Sequence, residues 1–214
     1  MRFPALKDPA SALTHFAGAL LSLLGLVFLI LRSIESGQTW RMVTFPIFGT
    51  SLLLLYTAST LYHALKLSPE GDRALRKFDH SMIFVLIAGT YTPFCAGPLW
   101  GPWGWSLLVT VWTIAIAGCV LKLLWLDAPK WLSLSLYLGM GWLVVLALQP
   151  LYRSLPTPSL VWMVTGGLVY TVGAIFYGAR WPDPWPRVFG HHELWHLCVL
   201  GGSAAHFLAV VALA

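Results

Sequence analysis

Residues 190–214 read GHHELWHLCVLGGSAAHFLAVVALA, a short polar start followed by a long apolar run. His192 and His196 are four residues apart, so on a helix both imidazoles lie on one face, one turn apart. With Glu193 between them, the stretch matches the H-E-x-x-H pattern of soluble zinc proteases. Here, however, the pattern begins a segment that is long and apolar enough to cross a membrane.

The composition of the whole chain indicates the same environment. Of 214 residues, 58% are hydrophobic and only 10% are charged, and the mean hydropathy is +0.75. A soluble domain carries roughly 25% charged residues, so this chain cannot cover a water-facing surface. The apolar runs are long and continuous, which favours helices over the short alternating strands of a transmembrane barrel. The prediction is one all-α polytopic membrane domain over residues 1–214.

Seven segments are predicted to be membrane-spanning helices. Their approximate bounds are 15–31, 42–65, 79–95, 105–124, 131–148, 159–179 and 191–214. The most charged segment, 66–78 (KLSPEGDRALRKF), is predicted to be a loop, so that Asp79 begins the third helix. Residues 181–187 (WPDPWPR) contain too many prolines to be helical throughout.

The basic residues predict the orientation of the seven helices. The N-terminus and the 2–3, 4–5 and 6–7 loops share one side, which carries ten of them: Arg2, Lys7, Lys66, Arg73, Arg76, Lys77, Lys122, Lys130, Arg180 and Arg187. The other side has only three: Arg32, Arg41 and Arg153. The positive-inside rule then places the N-terminus in the cytosol and the C-terminus outside. The protein is expected in the cell inner (plasma) membrane. The net charge of +5 is therefore interpreted as loop charge, and no nucleic-acid partner is expected.

This topology brings polar residues from three helices to one depth. His63 ends the second helix, Asp79 begins the third, and His192 and His196 begin the seventh. Ionisable groups at membrane depth are costly, so they normally face inward and pair. Three histidines and a carboxylate predict an open Zn2+ site, although copper, nickel or iron also accept three imidazoles. Ser59, one turn deeper than His63 on the same face, is placed to reach a water or a substrate oxygen.

These positions resemble those of a known family. The S-x-x-x-H of Ser59 and His63, the Asp79 that begins the third helix, and the H-x-x-x-H of His192 and His196 resemble the haemolysin III proteins. Those proteins are grouped with the progestin and adiponectin receptors and, more distantly, with the alkaline ceramidases. The resemblance implies seven spans with a cytosolic N-terminus, zinc held by the three histidines, and Asp79 and Ser59 orienting or activating its water. The family name also implies pore formation, which nothing else in the sequence supports.

Simpler structural roles remain open for the same residues. Histidines at helix ends can contact lipid headgroups, Asp79 could cap the third helix, and Ser59 could bond between helices. Glu193 would be the general base of a soluble zinc protease, but with Asp79 as a rival carboxylate a supporting or interfacial role is favoured. His15 is expected at the membrane interface, with contact to the site as the alternative. His206, about 15 Å deeper in the seventh helix, is too far to share the ion.

The function predicted first is zinc-dependent hydrolysis of a lipid amide or ester, with the site open to the cytosolic leaflet. The lipid follows from the family resemblance, whereas the hydrolytic chemistry follows from the residues. Three alternatives stay open: a receptor or sensor with a structural zinc, a pore-forming or membrane-remodelling protein, and an intramembrane protease that uses Glu193. The expected partners are the bilayer and a lipid substrate or ligand, while protein partners and oligomeric state are not predicted.

Overall fold

The computed structural model describes residues 6–185 and 188–213, and within them the chain is helical apart from loops and an isolated bridge between Trp185 and Phe189. The helices are α1 (Pro9–Ser36), α2 (Thr39–Ala64), α3 (Pro69–Ala96), α4 (Pro102–Leu124), α5 (Lys130–Trp142), α6 (Leu148–Ser154), α7 (Thr157–Ala179) and α8 (His191–Val211). A 3-10 turn, Leu143–Ala147, joins α5 to α6. The all-α prediction is confirmed.

Six segments of the described chain are long and apolar enough to cross a membrane: α1, α2, α4, the continuous stretch Lys130–Ser154, α7 and α8. Large apolar side chains cover their outer faces; on α1, for example, Leu21 and Leu24 are 65% and 67% exposed. Such faces suit contact with lipid rather than water. Together these features describe a multi-pass membrane protein.

Helix α3 corresponds to the remaining predicted span and occupies the middle of the bundle. It packs against α2, α4, α5 and α8, while contact between α1 and α8 closes the other side. Its charged first turns lower its apolarity, whereas its second half is apolar and largely buried. The helix at the centre of the bundle is thus the one whose sequence is the least apolar of the long helices.

The predicted loop at residues 66–78 is wrong from Pro69 onward, because these residues form the beginning of α3. Ser68 is the N-cap and its Oγ accepts a hydrogen bond from the backbone N–H of Gly71 at 3.3 Å. Proline in the first turn and acidic residues near the N-terminus are favoured by helix geometry and by the helix dipole. Asp79 therefore lies about three turns inside α3, and its predicted alternative role as a helix cap is also wrong.

Two other expectations need correction. The fifth span, predicted to stop at residue 148, continues to Ser154, because a new helix begins at Leu148 and places Pro150 in a first turn, where proline is tolerated. Lys122 was counted with the loop charges although the predicted fourth span includes it; it lies within α4 and, at 2% exposure, is buried rather than free at the membrane surface. Arg2 and Arg187, counted with it, lie outside the described residues. The orientation in the membrane stays a prediction.

Candidate metal centre

His63, His192 and His196 form one cluster at the ends of two helices. His63 lies at the C-terminal end of α2, and the other two lie in the first two turns of α8. One ring nitrogen from each residue lies within 4.8 Å of the other two. The Nε2 atoms of His63 and His192 are 3.4 Å apart. The structure therefore brings together the three imidazoles that the topology placed at one depth.

This spacing fits a metal ion. Two nitrogen ligands of a tetrahedral zinc ion, each about 2.0–2.1 Å from the metal, lie about 3.3–3.4 Å apart. A hydrogen bond between His63 and His192 would account for one contact at this distance. It would not account for His196, one of whose ring nitrogens completes the cluster within 4.8 Å of the other two. The cluster can hold a metal, and its donor set of three imidazoles suits zinc among several transition metals.

Asp8 orients His63 from outside the cluster. Its Oδ2 lies 2.9 Å from His63 Nδ1, and its backbone N–H donates to the His63 carbonyl oxygen at 2.8 Å. When Nδ1–H donates to this carboxylate, Nε2 keeps its lone pair for the cluster. A carboxylate in this position fixes the tautomer and raises the basicity of a ligating histidine. Asp8 thus completes the centre by acting through His63.

Asp8 was missed from the sequence because the first span was predicted at residues 15–31, which leaves Asp8 in a polar segment before it. In the structure α1 begins at Pro9, so Asp8 occupies the N-cap position. Its side chain nevertheless makes no capping hydrogen bond. No spacing in the sequence links it to His63, which lies at the end of the next helix. The carboxylate is free of the cap and is used on the imidazole instead.

Lys7 fastens this segment across the ends of α2 and α3. Its Nζ donates to Asp72 Oδ1 at 2.5 Å and lies 3.8 Å over the Tyr62 ring. Burial lowers the pKa of Lys7, but the hydrogen bond to Asp72 and the neighbouring Tyr62 outweigh it, so the pKa is raised overall. Lys7 therefore stays charged at neutral pH and keeps Asp8 in register with His63.

Asp79 and Ser59 lie near the cluster, at the same end of the bundle. Both side chains are buried, and the Ser59 hydroxyl lies beside the Asp79 carboxyl group. Both line a cavity that His192 and His196 also line. His80, which follows Asp79 on α3 and was not singled out by the sequence, lines it as well. A buried carboxylate and a buried hydroxyl therefore share one cavity with two of the three imidazoles.

The cavity has a volume of about 280 Å³ and extends away from the cluster between α3, α5, α7 and α8. Polar and charged side chains surround its end at the histidines. The rest of its wall is mainly apolar and includes Ile83, Leu86, Phe94, Leu151 and Met163. A polar end joined to an apolar channel suits an amphiphilic ligand.

The expectation that His15 lies at the membrane interface is wrong. The residue is 3% exposed, and its ring stacks on His196 with 3.7 Å between ring centroids and 13° between ring planes. Its edge meets the ring of Tyr56 at a centroid distance of 5.0 Å. Neither ring nitrogen has a hydrogen-bond partner among the described residues. His15 therefore packs against one histidine of the cluster.

Glu193 serves the local structure of α8. Its Oε2 accepts the backbone N–H of Gly190 at 2.8 Å, and its Oε1 accepts the hydroxyl of Ser11 on α1 at 2.9 Å. Both oxygens are thus engaged at the helix start and in a tie to α1. This geometry favours the supporting role over that of a general base. His206, deeper in α8, bonds the Gly202 carbonyl through Nδ1 at 2.9 Å and lies outside the cluster.

Comparison with known proteins gives matches along most of the chain. A family model described as "Haemolysin-III related" matches residues 3–207. The "Hemolysin-3 homolog" of Bacillus subtilis (strain 168) is 46% identical over 209 residues, which cover 98% of this chain and 95% of the relative. The human "Monocyte to macrophage differentiation factor" is 26% identical over 179 residues, 82% of this chain and 72% of that protein. The "Adiponectin receptor protein" of Drosophila melanogaster is 23% identical over 217 residues, 91% of this chain and 48% of the receptor.

Proposed function

The chain belongs to the haemolysin III-related family of membrane proteins, and on that premise we propose that it binds one zinc ion and hydrolyses an amide or ester bond of a lipid. One observation carries the proposal. Two imidazoles of the three-histidine cluster, a buried carboxylate and a buried hydroxyl line the polar end of a cavity whose remaining wall is mainly apolar. A polar reactive end and an apolar channel match the two parts of a lipid substrate.

His63, His192 and His196 would hold the ion, with Asp8 fixing the tautomer of His63. When bound, zinc on three imidazoles polarises a carbonyl group and acidifies a water molecule. In the reaction, water attacks the carbonyl carbon, the C–N or C–O bond breaks, and the products are a carboxylic acid and an amine or alcohol.

Asp79 and Ser59 are the residues of this chain that we assign to the proton and to the developing charge. The Asp79 carboxylate would take a proton from the attacking water and return it to the leaving nitrogen or oxygen. The Ser59 hydroxyl, beside it, would donate a hydrogen bond to the oxyanion. Burial of both side chains keeps bulk water from competing for these bonds. We place the protein in the plasma membrane with this site toward the cytosolic leaflet, following the distribution of basic residues.

The first test is metal content. Wild-type protein purified in detergent without chelators should contain about one zinc per chain by elemental analysis, and both His63→Ala and His196→Ala should lose it. His206→Ala is the matched control, because His206 is a histidine of the same helix outside the cluster. Absence of metal from the wild type, or its retention in both cluster variants, would refute the shared site.

The second test separates metal binding from catalysis. A panel of lipid amides and esters is incubated with the zinc-loaded wild type and with Asp79→Asn, and released fatty acid is quantified. We expect turnover of at least one lipid class by the wild type, a loss of about 10²-fold or more in the variant, and unchanged zinc content. Equal turnover by both proteins would show that Asp79 is not the acid–base group.

A structural zinc in a receptor or sensor is the second candidate, and one observation favours it. The cluster joins the end of α2 to the start of α8 and, through Asp8, to the segment before α1. An ion there would stabilise the bundle whether or not any substrate turns over. This candidate predicts that chelation lowers the melting temperature and that no lipid in the panel is hydrolysed.

A further inference from the structure

Lys122 is a buried lysine with no carboxylate partner in the described part of the chain. It lies in the last turn of α4 and its side chain is closed off from the outer surface of the protein. Its Nζ donates to Ser133 Oγ of α5 at 2.5 Å, and among the described residues no carboxylate lies within salt-bridge distance of it. Lysines inside membrane helices are costly and normally pair or face a cavity. Lys122 does line the cavity, which points to a partner within it.

The wall around Lys122 offers hydrogen-bond donors. An ammonium group carries three N–H donors and no acceptor, and only one of them is used by Ser133. Because the Ser133 oxygen accepts that bond, its own O–H remains to be donated. His80 lines the same cavity, and its Nδ1 is buried without a hydrogen-bond partner in the described chain. A ligand that matches this wall must supply acceptors, as a carboxylate or phosphate group does.

The remaining charges at this end also favour an anion. Arg76 lines the cavity and bonds Asp127 at 3.0 Å, so its charge is partly compensated. Lys130 lines it too, with Nζ 5.1 Å from the centroid of the Tyr177 ring. Asp79 is the one carboxylate among the described lining residues. Three cations therefore face the cavity against one carboxylate.

We propose that the cavity binds a single-chain lipid with an acidic headgroup, and that Lys122 and Ser133 hold its carboxylate or phosphate oxygens. The hydrocarbon chain lies along the apolar wall, where Ile83, Leu86 and Met163 are found. The inference rests on the proposed function in taking this cavity as the lipid site, but it does not require turnover. It makes Lys122 a specificity-determining residue that selects acidic over neutral lipids.

Binding of matched probes to the full chain in detergent tests this assignment by native mass spectrometry. The probes are oleic acid, oleyl alcohol of the same chain, oleoyl lysophosphatidic acid, and inorganic phosphate. The wild type should bind the two acidic lipids at least tenfold more tightly than the alcohol. Lys122→Met, of similar length but uncharged, should lose this preference while still binding the alcohol. Lys77→Met is the control, since Lys77 is a lysine of the same end that bonds the Leu123 carbonyl and does not line the cavity.

Three results would count against the proposal. Equal affinity of the wild type for oleic acid and oleyl alcohol would overturn it, as would an acid preference that persists in Lys122→Met. Binding of inorganic phosphate as tight as that of lysophosphatidic acid would refute a lipid ligand, since Lys122 and Ser133 would then bind a free anion. If Lys122→Met fails to fold, Ser133→Ala replaces it. That variant removes one donor and should reduce the acid preference about threefold to tenfold.

The same experiment in Asp79→Asn keeps this inference apart from the proposed function. The acid preference should be kept or increased in that variant, because the described lining loses its one carboxylate, although hydrolysis is lost. If the protein hydrolyses no lipid but prefers acidic lipids through Lys122, the Lys122 site is supported and the hydrolase function is refuted. If it hydrolyses lipids and Lys122→Met keeps the acid preference, the hydrolase function is supported and the Lys122 site is refuted.

Discussion

Replacing Asp8 with asparagine should weaken metal binding without disturbing helix α1. The Asp8 side chain makes no capping hydrogen bond, so the helix start loses nothing. What changes is the 2.9 Å contact with His63 Nδ1, where a neutral amide oxygen replaces a carboxylate. His63 Nε2 then becomes a less basic ligand, and the preferred tautomer is held less firmly.

The geometry sets the size of this effect. Loss of such an outer carboxylate typically costs 10–100-fold in metal affinity, or about 1.4–2.8 kcal/mol. The Asp8 side chain is 45% exposed, so solvent screens part of its charge, whereas the His63 side chain is only 5% exposed. Because asparagine still offers an acceptor, we expect a loss of about tenfold for Asp8→Asn. Asp8→Ala leaves a buried N–H without a partner, at a further cost of about 1–3 kcal/mol, and should lose about 100-fold or more.

Competition between the detergent-solubilised protein and a chelator of known zinc affinity measures these losses. Asp72→Asn is the control, since it breaks the ion pair with Lys7 in the same segment without touching His63. The expected order of affinity is wild type and Asp72→Asn together, then Asp8→Asn, then Asp8→Ala. Wild-type affinity in Asp8→Ala would refute the coupling of Asp8 to a metal ligand. A loss in Asp72→Asn equal to that in Asp8→Asn would show that the docking of the segment matters, and not the carboxylate.

Three further outcomes follow from the same contacts. Glu193→Gln should keep its zinc and any lipid turnover. It should lose about 1 kcal/mol of stability in thermal unfolding, because the hydrogen bonds of this side chain to Gly190 and Ser11 lose their charge. Abolished turnover with zinc retained would instead support the protease alternative. His15→Phe should keep the stack on its neighbouring ligand and bind zinc normally, with stability within about 1 kcal/mol of the wild type, since no hydrogen bond is lost; loss of zinc in this variant would identify His15 as a ligand. In a background without other cysteines, Arg153→Cys should react with an impermeant maleimide on intact cells, and Lys66→Cys only after permeabilisation; the opposite labelling would reverse the predicted orientation.

The helices were predictable wherever apolar residues alone determine them. A backbone in lipid must satisfy its own hydrogen bonds, so a long apolar run is almost necessarily a helix. The same rule gave no information about residues 69–78, where charge argues against burial in lipid but not against a helix. There the N-cap at Ser68 and the acidic residues of the first turn, Glu70 and Asp72, are the better signal. Read in that way, the charged segment predicts a helix that starts outside the apolar region and runs on through it.

The three histidines were predictable because membrane topology supplies long-range information. Once the number and direction of the spans are known, the ends of α2 and α8 must lie at one depth, and a pair spaced by four residues must share a face. Neither rule predicts the contacts of Asp8 and Lys122 or the stacking of His15. Their positions depend on how the helices pack sideways, which hydropathy and spacing do not encode.

Asp8 and Lys122 were missed for one physical reason. Each lies near a helix end, where a charged residue has a simple local explanation: a polar start or a cap for an aspartate before a helix, and membrane topology for a lysine in the last turn of one. Only burial and partners separate the functional from the local role, since Asp8 makes no capping bond and Lys122 is buried against Ser133. Removing Lys122 from the loop charges, and setting aside Arg2 and Arg187, still leaves seven basic residues on the predicted cytosolic side against three on the other. The predicted orientation therefore does not depend on Lys122, whereas binding of an acidic ligand in the cavity does.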